Sequence, residues 1–246
     1  MAINDWADVI DAPSTTQLRR LITGASPTAP LTGSGIFAWG ANPMVDGPLT
    51  FAKFVQDLGI NAGYSPTAPG RGGRASAAVM KAPGTGASIF VAALVQSTQM
   101  DAPVVFPSSA GVGYLLGLTS ESPARIALVK GPLSGGVPPS APGTNGVLAR
   151  GSEDVAAGTW VHLRLDARVN GNGDVCLRAF RNVTGLVLAP DWQPIPGIPW
   201  VVIDDALGVN SGSAPLQRGF FGFGQHFTSA RRPTYVDHAA AARQLG

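Results

Sequence analysis

The sequence predicts an all-β, turn-rich protein, and three observations carry that expectation. Its 246 residues include 32 glycines and 21 prolines, residue types that stop helices and open turns. Charged side chains make up 13% of the chain against 45% hydrophobic, so a buried core rather than charge repulsion governs its state. From Gly35 onward, short apolar runs of strand length alternate with Gly, Pro and Ser punctuation. A chain of this length buries roughly 70% or more of its unfolded surface, so it needs neither disulfide nor metal to fold. The single Cys176 provides neither.

Residues 1–35 differ from the rest. Trp6, Val9 and Ile10, then Leu18, Leu21 and Ile22, form two small apolar clusters, and a linker-like stretch rich in Gly, Ser and Pro follows. This segment reads either as an irregular leader laid over the domain or as an arm that docks on a neighbouring subunit. Trp6, Val9 and Leu18 are the candidate docking residues, because apolar clusters in a terminal arm must bury against something. Residues 36–246 read as one domain.

Leu49 to Leu58 places Phe51, Phe54, Val55 and Leu58 on one helical face that stops at Gly59, although an alternating strand also fits. Residues 61–74 are a Gly/Pro loop. Ile89–Gln96, Tyr114–Leu118 and Ile126–Lys130 are compact apolar runs of strand length. Residues 131–146, with repeated Gly and Pro, are expected to form a long exposed and mobile excursion.

The clearest local pattern is Trp160 to Asn182. Val161, Leu163, Leu165, Ala167 and Val169 alternate with His162, Arg164, Asp166 and Arg168, which puts one face on a core and the other toward water or a partner. Asn170-Gly-Asn-Gly supplies the positive φ of a tight turn, and Asp174–Asn182 returns as the second strand of a hairpin. Trp200–Asp205 is a short strand, and Phe221, Phe223 and Phe227 share one side of another, opposite Gly222 and Gly224. Tyr235–Ala242 closes the sheet as a last strand, or forms a helix through its four alanines.

Charge and composition exclude several functions. The net charge is +2 with no Lys/Arg stripe, which leaves no electrostatic footprint for nucleic acid. The N-terminus is acidic where a signal peptide is basic and then apolar. The longest clean apolar run, Ile89 to Val95, is far too short to span a bilayer. The expectation is a soluble protein with no membrane partner.

The order Tyr114-Leu-Leu-Gly-Leu, Ile126-Ala-Leu-Val-Lys-Gly, Gly158-Thr-Trp-Val-His-Leu-Arg-Leu-Asp, Asn172-Gly-Asp-Val-Cys-Leu-Arg, Ile203-Asp-Asp-Ala-Leu-Gly, Gly222-Phe-Gly and Tyr235-Val-Asp-His resembles the concanavalin A-like (laminin-G-like) jelly-roll proteins found among tailed-bacteriophage virion proteins. The hallmark Gly-x-Trp-x-His-Leu matches Gly158, Trp160, His162 and Leu163, and the likeness covers roughly residues 75–243. The resemblance implies an all-β, two-sheet antiparallel jelly-roll sandwich with an irregular N-terminal arm.

Signs of catalysis are sparse. Glucanases of this superfamily alternate acidic residues along one strand, whereas Glu121 and Glu153 are the only glutamates here and Asp204 and Asp205 are adjacent. Gly-x-Ser-x-Gly and phosphate-loop strings are absent. His162, His226 and His238 lack metal-site spacing. Asp204, Asp205, Asn210 and Ser211 resemble a rim calcium set less than a locally hydrogen-bonded turn. The resulting expectation is a non-enzymatic virion structural protein without cofactor or metal, serving as capsid decoration or tail accessory. It would be homo-oligomeric, assembled in the bacterial host cytoplasm, and would dock other virion proteins through its arm and sandwich surface. The alternative is a lectin-like receptor-binding module for a bacterial surface glycan. Trp39, Trp160, Trp192 and Trp200 are then the rings on which a sugar could stack, Trp192 first among them because of its Pro-rich loop.

Overall fold

Short apolar runs separated by Gly, Pro and Ser become two stacked sheets. The computed structural model describes residues 4–9, 37–38, 49–56, 72–81, 87–96, 105–106, 111–170, 173–184, 191–204, 214–217, 219–227 and 234–244, with strand placement alone for 4–9, 37–38, 49–56, 105–106 and 234–244. Its strands are β1 (Asn4–Val9), β2 (Phe37–Ala38), β3 (Leu49–Gln56), β4 (Gly72–Lys81), β5 (Ala87–Gln96), β6 (Val105–Phe106), β7 (Val112–Leu118) and β8 (Ala124–Pro132). After one 3-10 turn (Leu133–Gly135) come β9 (Val147–Val155), β10 (Val161–Val169), β11 (Val175–Asn182), β12 (Trp192–Pro194), β13 (Val202–Asp204), β14 (Phe220–Phe227) and β15 (Thr234–Gln244).

One sheet runs β1-β15-β4-β10-β11-β12, with β2 added to β15 and β13 added to β11. The other runs β6-β3-β14-β5-β7-β8-β9. The pairings are antiparallel, so the fold class is the expected jelly-roll sandwich. The expected hairpin is β10–β11, paired from Leu163↔Arg181 to Val169↔Val175. Its turn is held by Asn170, whose Oδ1 accepts from the Asp174 N–H at 2.9 Å.

Two segments differ from the local pattern or decide between its alternatives. Leu49–Leu58, where a helical face was expected, is strand β3 over Leu49–Gln56, because β14 and β6 pair with its two edges. Cross-strand pairing outweighs local spacing in so short a segment. The alanine-rich C-terminal run is likewise β15, paired with β4 on one edge and β1 on the other.

The core between the sheets takes Leu163, Leu165, Val169 and Leu177 from the first sheet and Ile89, Val91, Leu116, Leu128 and Phe223 from the second, all essentially inaccessible. A second core lies on the opposite face of the β5-β7-β8 region. There Phe90, Leu115 and Val129 pack with Leu133, Val137 and Val147. Residues 139–145 are largely exposed, as expected, but the segment 131–146 is anchored rather than a free excursion. Leu133 and Val137 are wholly buried, the Val137 N–H donates to Ser88 Oγ at 3.1 Å, and the Ser120 N–H donates to the Val137 carbonyl at 3.1 Å. The prolines and glycines shape a cover whose Leu133 and Val137 supply its adhesion. Gly136 adopts φ +55, and a Cβ there would lie 2.3 Å from Ser88 Oγ, so the cover seats only because that position has no side chain.

Two lysines cross the interior. In β8, Lys130 Nζ meets Asp204 Oδ2 of β13 in a fully buried ion pair and donates to the Ala214 carbonyl at 2.7 Å. The Tyr114 hydroxyl donates to the same carboxylate oxygen at 2.6 Å and accepts from the Leu216 N–H at 3.0 Å. Burial, reinforced by that carboxylate, pushes the Tyr114 hydroxyl far above the usual phenol range. Beyond the other end of β7, Lys81 Nζ of β4 donates to the carbonyls of Thr119 and Glu121 at 2.8 and 2.6 Å. Burial lowers Lys81 to about 8, against a smaller opposing pull from the Glu121 charge.

Lys130→Met leaves the Asp204 charge buried without its cation and should cost about 3–5 kcal/mol in denaturant unfolding, whereas Tyr114→Phe should cost about 1.5–3 kcal/mol. Equal, small losses would mean that the network contributes little. For Lys81, the unfolded chain keeps a proton up to about 10.5 that the folded chain sheds near 8. Stability from this group therefore rises with pH across that window. Lys81→Met should remove this rise in melting curves taken between those two pH values.

Candidate functional site

Among the described residues, the outward face of β10 and the ends of its neighbours bring together a cluster of aromatic and charged side chains. Because successive residues alternate, the core positions Leu163, Leu165 and Ala167 force His162, Arg164, Asp166 and Arg168 to the other side. Register adds Arg74 of β4 and Arg178 of β11 directly opposite Asp166, and Phe180 opposite Arg164. Asp166 therefore sits at the centre of a cross, with arginines two residues away along its own strand in both directions and one on each adjoining strand.

The Arg164 guanidinium grips Asp166 through Nε and Nη2 at 2.7 and 2.5 Å, while Arg74 Nε lies 3.9 Å from the same carboxylate. Burial depresses Arg74 below its ordinary value. The Arg164 charge adds to that shift and Asp166 opposes it. The ring of Phe180 carries Arg164 at 4.7 Å, and Trp200 carries Arg178 at 6.0 Å.

Trp192 belongs to this face. Asn182 pairs with Trp192 in the β11–β12 register. The Asn182 Oδ1 accepts from the Thr184 and Asp191 N–H groups, both at 3.1 Å, and so ties the two ends of the intervening loop together. The indole stands edge-on to His162 at 4.7 Å, with the Arg164 guanidinium 5.7 Å from its centroid, and is half-buried. Trp192 is thus a packed ring between two basic side chains.

Trp160 is placed differently. It is 38% exposed and lines an open hollow of about 530 Å3 with Glu153, Asp154 and Val155 of β9, Ile126 of β8, Thr159, and Arg181, Asn182 and Val183 at the end of β11. The hollow lies where the rims of the two sheets diverge. Arg181 bridges them, with Nη1 on Glu153 Oε2 and Nη2 3.5 Å from Oε1. Asp154 is held by Arg125 Nε at 2.8 Å. The polar walls are therefore fixed by partners before any ligand arrives.

Trp6 and Val9 fall in β1, paired opposite Ala242 and Ala240 at a sheet edge, with no side-chain geometry described. Leu18, Trp39 and the arm boundary at residue 35 lie outside the described residues, as do Asp205, Asn210 and Ser211. Asp204 points into the core onto Lys130 and Tyr114, so its carboxylate is committed to the protein interior. Among the described residues no three His, Cys, Asp or Glu side chains gather at metal-binding distance. Sequence reasoning missed Arg181 and Glu153 as a pair. They are 28 residues apart, on β11 of one sheet and β9 of the other, and only the stacking of the two sheets brings them together.

No model of a known protein family matches the chain, and no curated protein sequence matches it. Solved structures similar to it include a Bacillus subtilis protein of unknown function with a galectin-like fold, at 12% identity and a TM-score of 0.46 over 100% of this chain and 99% of that one. Others are the carbohydrate-binding module CBM66 from Bacillus subtilis (12% identity, TM-score 0.35, 71% and 77% covered) and the alginate lyase Aly36B (11%, 0.39, 100% and 96%). These are likenesses of fold, of the lectin-like jelly-roll kind. They correct one expectation. A non-enzymatic protein was inferred from missing motifs, yet a lyase stands among the similar sandwiches. The physical reason is that activity resides in side chains grafted on such a scaffold, so absent glucanase and hydrolase strings exclude only those chemistries.

The two tryptophans should separate in stability. Trp192→Ala removes a packed ring and should cost about 1–3 kcal/mol, while Trp160→Ala should stay within about 0.5 kcal/mol in urea unfolding. The reverse order would mean that Trp160 is the structural ring.

Proposed function

We propose that this chain is a lectin-like glycan-recognition protein whose sugar rests in the hollow against Trp160. The observation that carries the reading is an exposed indole on the wall of an open hollow of about 530 Å3 whose other walls combine apolar side chains such as Ile126 and Val155 with the ion-paired Glu153, Asp154 and Arg181. A sugar ring has an apolar C–H face and an equatorial rim of hydroxyls. An indole takes the first, and planar, multidentate charged groups take the second. The volume falls in the range of roughly 300–1,000 Å3 usual for small-molecule sites.

Preorganisation supports the same reading. Arg181 is braced by Glu153, and Asp154 by Arg125, so ordering these long side chains costs little on binding. Val183, 52% exposed beside the hollow, adds apolar area next to the indole. The virion role expected from the order of sequence motifs has no comparable residue-level observation behind it.

Screening the full chain against an array of bacterial surface and storage glycans should find a bound oligosaccharide. Trp160→Ala should weaken that binding about tenfold or more in calorimetry, equivalent to about 1.4 kcal/mol. Measuring new reducing ends during the incubation separates recognition alone from recognition with cleavage. Binding unchanged by Trp160→Ala, or no glycan bound at all, would contradict the proposal.

A further inference from the structure

We infer that the outward face of the β4-β10-β11 region is a second binding surface, specific for acidic polysaccharide. It is separate from the hollow and does not depend on a sugar binding there. The inference rests on the arginine cross around Asp166. Arg164 and Arg168 flank it along β10, and Arg74 and Arg178 stand opposite it on β4 and β11. Four positive charges surround one negative charge on a sheet that fixes their spacing.

The sheet sets those distances. Neighbouring strands are about 4.8 Å apart, and residues two apart on a strand are separated by about 6.7 Å. Like charges this close repel, and Arg74 registers the effect, since the Arg164 charge contributes to its depressed pKa. The other nearby carboxylate among those described, Asp174, lies at the hairpin end of β11, where its Oδ2 accepts from Asn170 Nδ2. In the strand register Asp237 of β15 is opposite Ala78, one row away from the cross.

A concentration of positive charge that the fold holds rigid is favourable once an anion lies across it. Geometry narrows the anion. The guanidiniums of Arg164 and Arg178 lie over the rings of Phe180 and Trp200 at 4.7 and 6.0 Å, and the planar N–H edge of a guanidinium suits the two oxygens of a carboxylate or sulfate. The partly exposed Trp200 beside Arg178 offers a ring for the adjoining sugar. A linear glycan with one acidic group per residue matches several of these positions at once. The shared chemistry is a repeated oxyanion on a pyranose chain, from either uronate or sulfate ester.

Arg168 and Arg178 are the exposed members of the cross, so their replacement leaves the Arg164–Asp166 grip intact. Affinity electrophoresis of the full chain through polygalacturonate, dextran sulfate and neutral dextran tests the proposal. Retardation by one or both acidic polymers but not by dextran is expected, and which polymer acts identifies the oxyanion. Arg168→Gln/Arg178→Gln should weaken that retention about tenfold and flatten its salt dependence, as fewer counterions are displaced. Equal retention of variant and native protein, no retention by either acidic polymer, or duplex DNA bound as tightly as the glycans would overturn it. Neither substitution touches the hollow, so failure here leaves the glycan reading of Trp160 untouched, and failure there leaves this one.

Discussion

A buried lysine imposes the constraint on which this sandwich depends. Once Lys130 enters the interior from β8, the opposite sheet must bring a carboxylate to it, and Asp204 of β13 does so with Tyr114 sharing the load. Leaving either charge alone inside would cost several kcal/mol, so the pair specifies how the sheets stack as much as it stabilises them. It also fixes β13 against β11 through Cys176↔Ile203, and β11 in turn aligns with β10. Arg178 and Arg181 on β11 inherit their positions from that chain of contacts. Lys81, bound to two carbonyls past the far end of β7, makes the corresponding tie at the other end.

The two sheets then have different outer faces. That of the β5-β7-β8 region is apolar and covered by residues 131–147, with Phe90, Leu115 and Val137 sealed inside a second core. The β4-β10-β11 face carries arginines, rings and one aspartate, and its sheet opens at the rim into the hollow of Trp160. Among the described residues, the arginines and aromatic rings stand on one side, while the other is occupied by the protein's own chain.

Much of the fold was legible in residues that repeat at a period of two. The hairpin from Val161 to Asn182 follows directly from alternation and an Asn/Gly turn, whereas the runs at 89, 114 and 126 are legible as continuous apolar segments of strand length, buried on both faces. Leu49–Gln56 was not legible, because its aromatic spacing satisfies a helix and a strand alike until β14 and β6 pair with it. Residues 131–146 were legible as an exposed segment but not as an anchored one, because Gly and Pro describe backbone shape, while adhesion comes from Leu133 and Val137. The site was partly visible. All four candidate tryptophans were apparent, but Trp192 turns its ring to His162 and Arg164, whereas Trp160 stands at the hollow. Exposure of a ring depends on which side chains pack over it, and no spacing rule in the sequence contains that.

The proposed sugar site beside Trp160 is open to a direct measurement. The five tryptophans give five indole N–H signals, assigned by single Trp→Phe replacements, and they can be followed by NMR while a glycan from the array is titrated. The account predicts that the Trp160 signal shifts with saturation while that of Trp192 stays in place. Saturable shifts at Trp192 with Trp160 unmoved would contradict it and move the sugar onto the packed arginine–aromatic face.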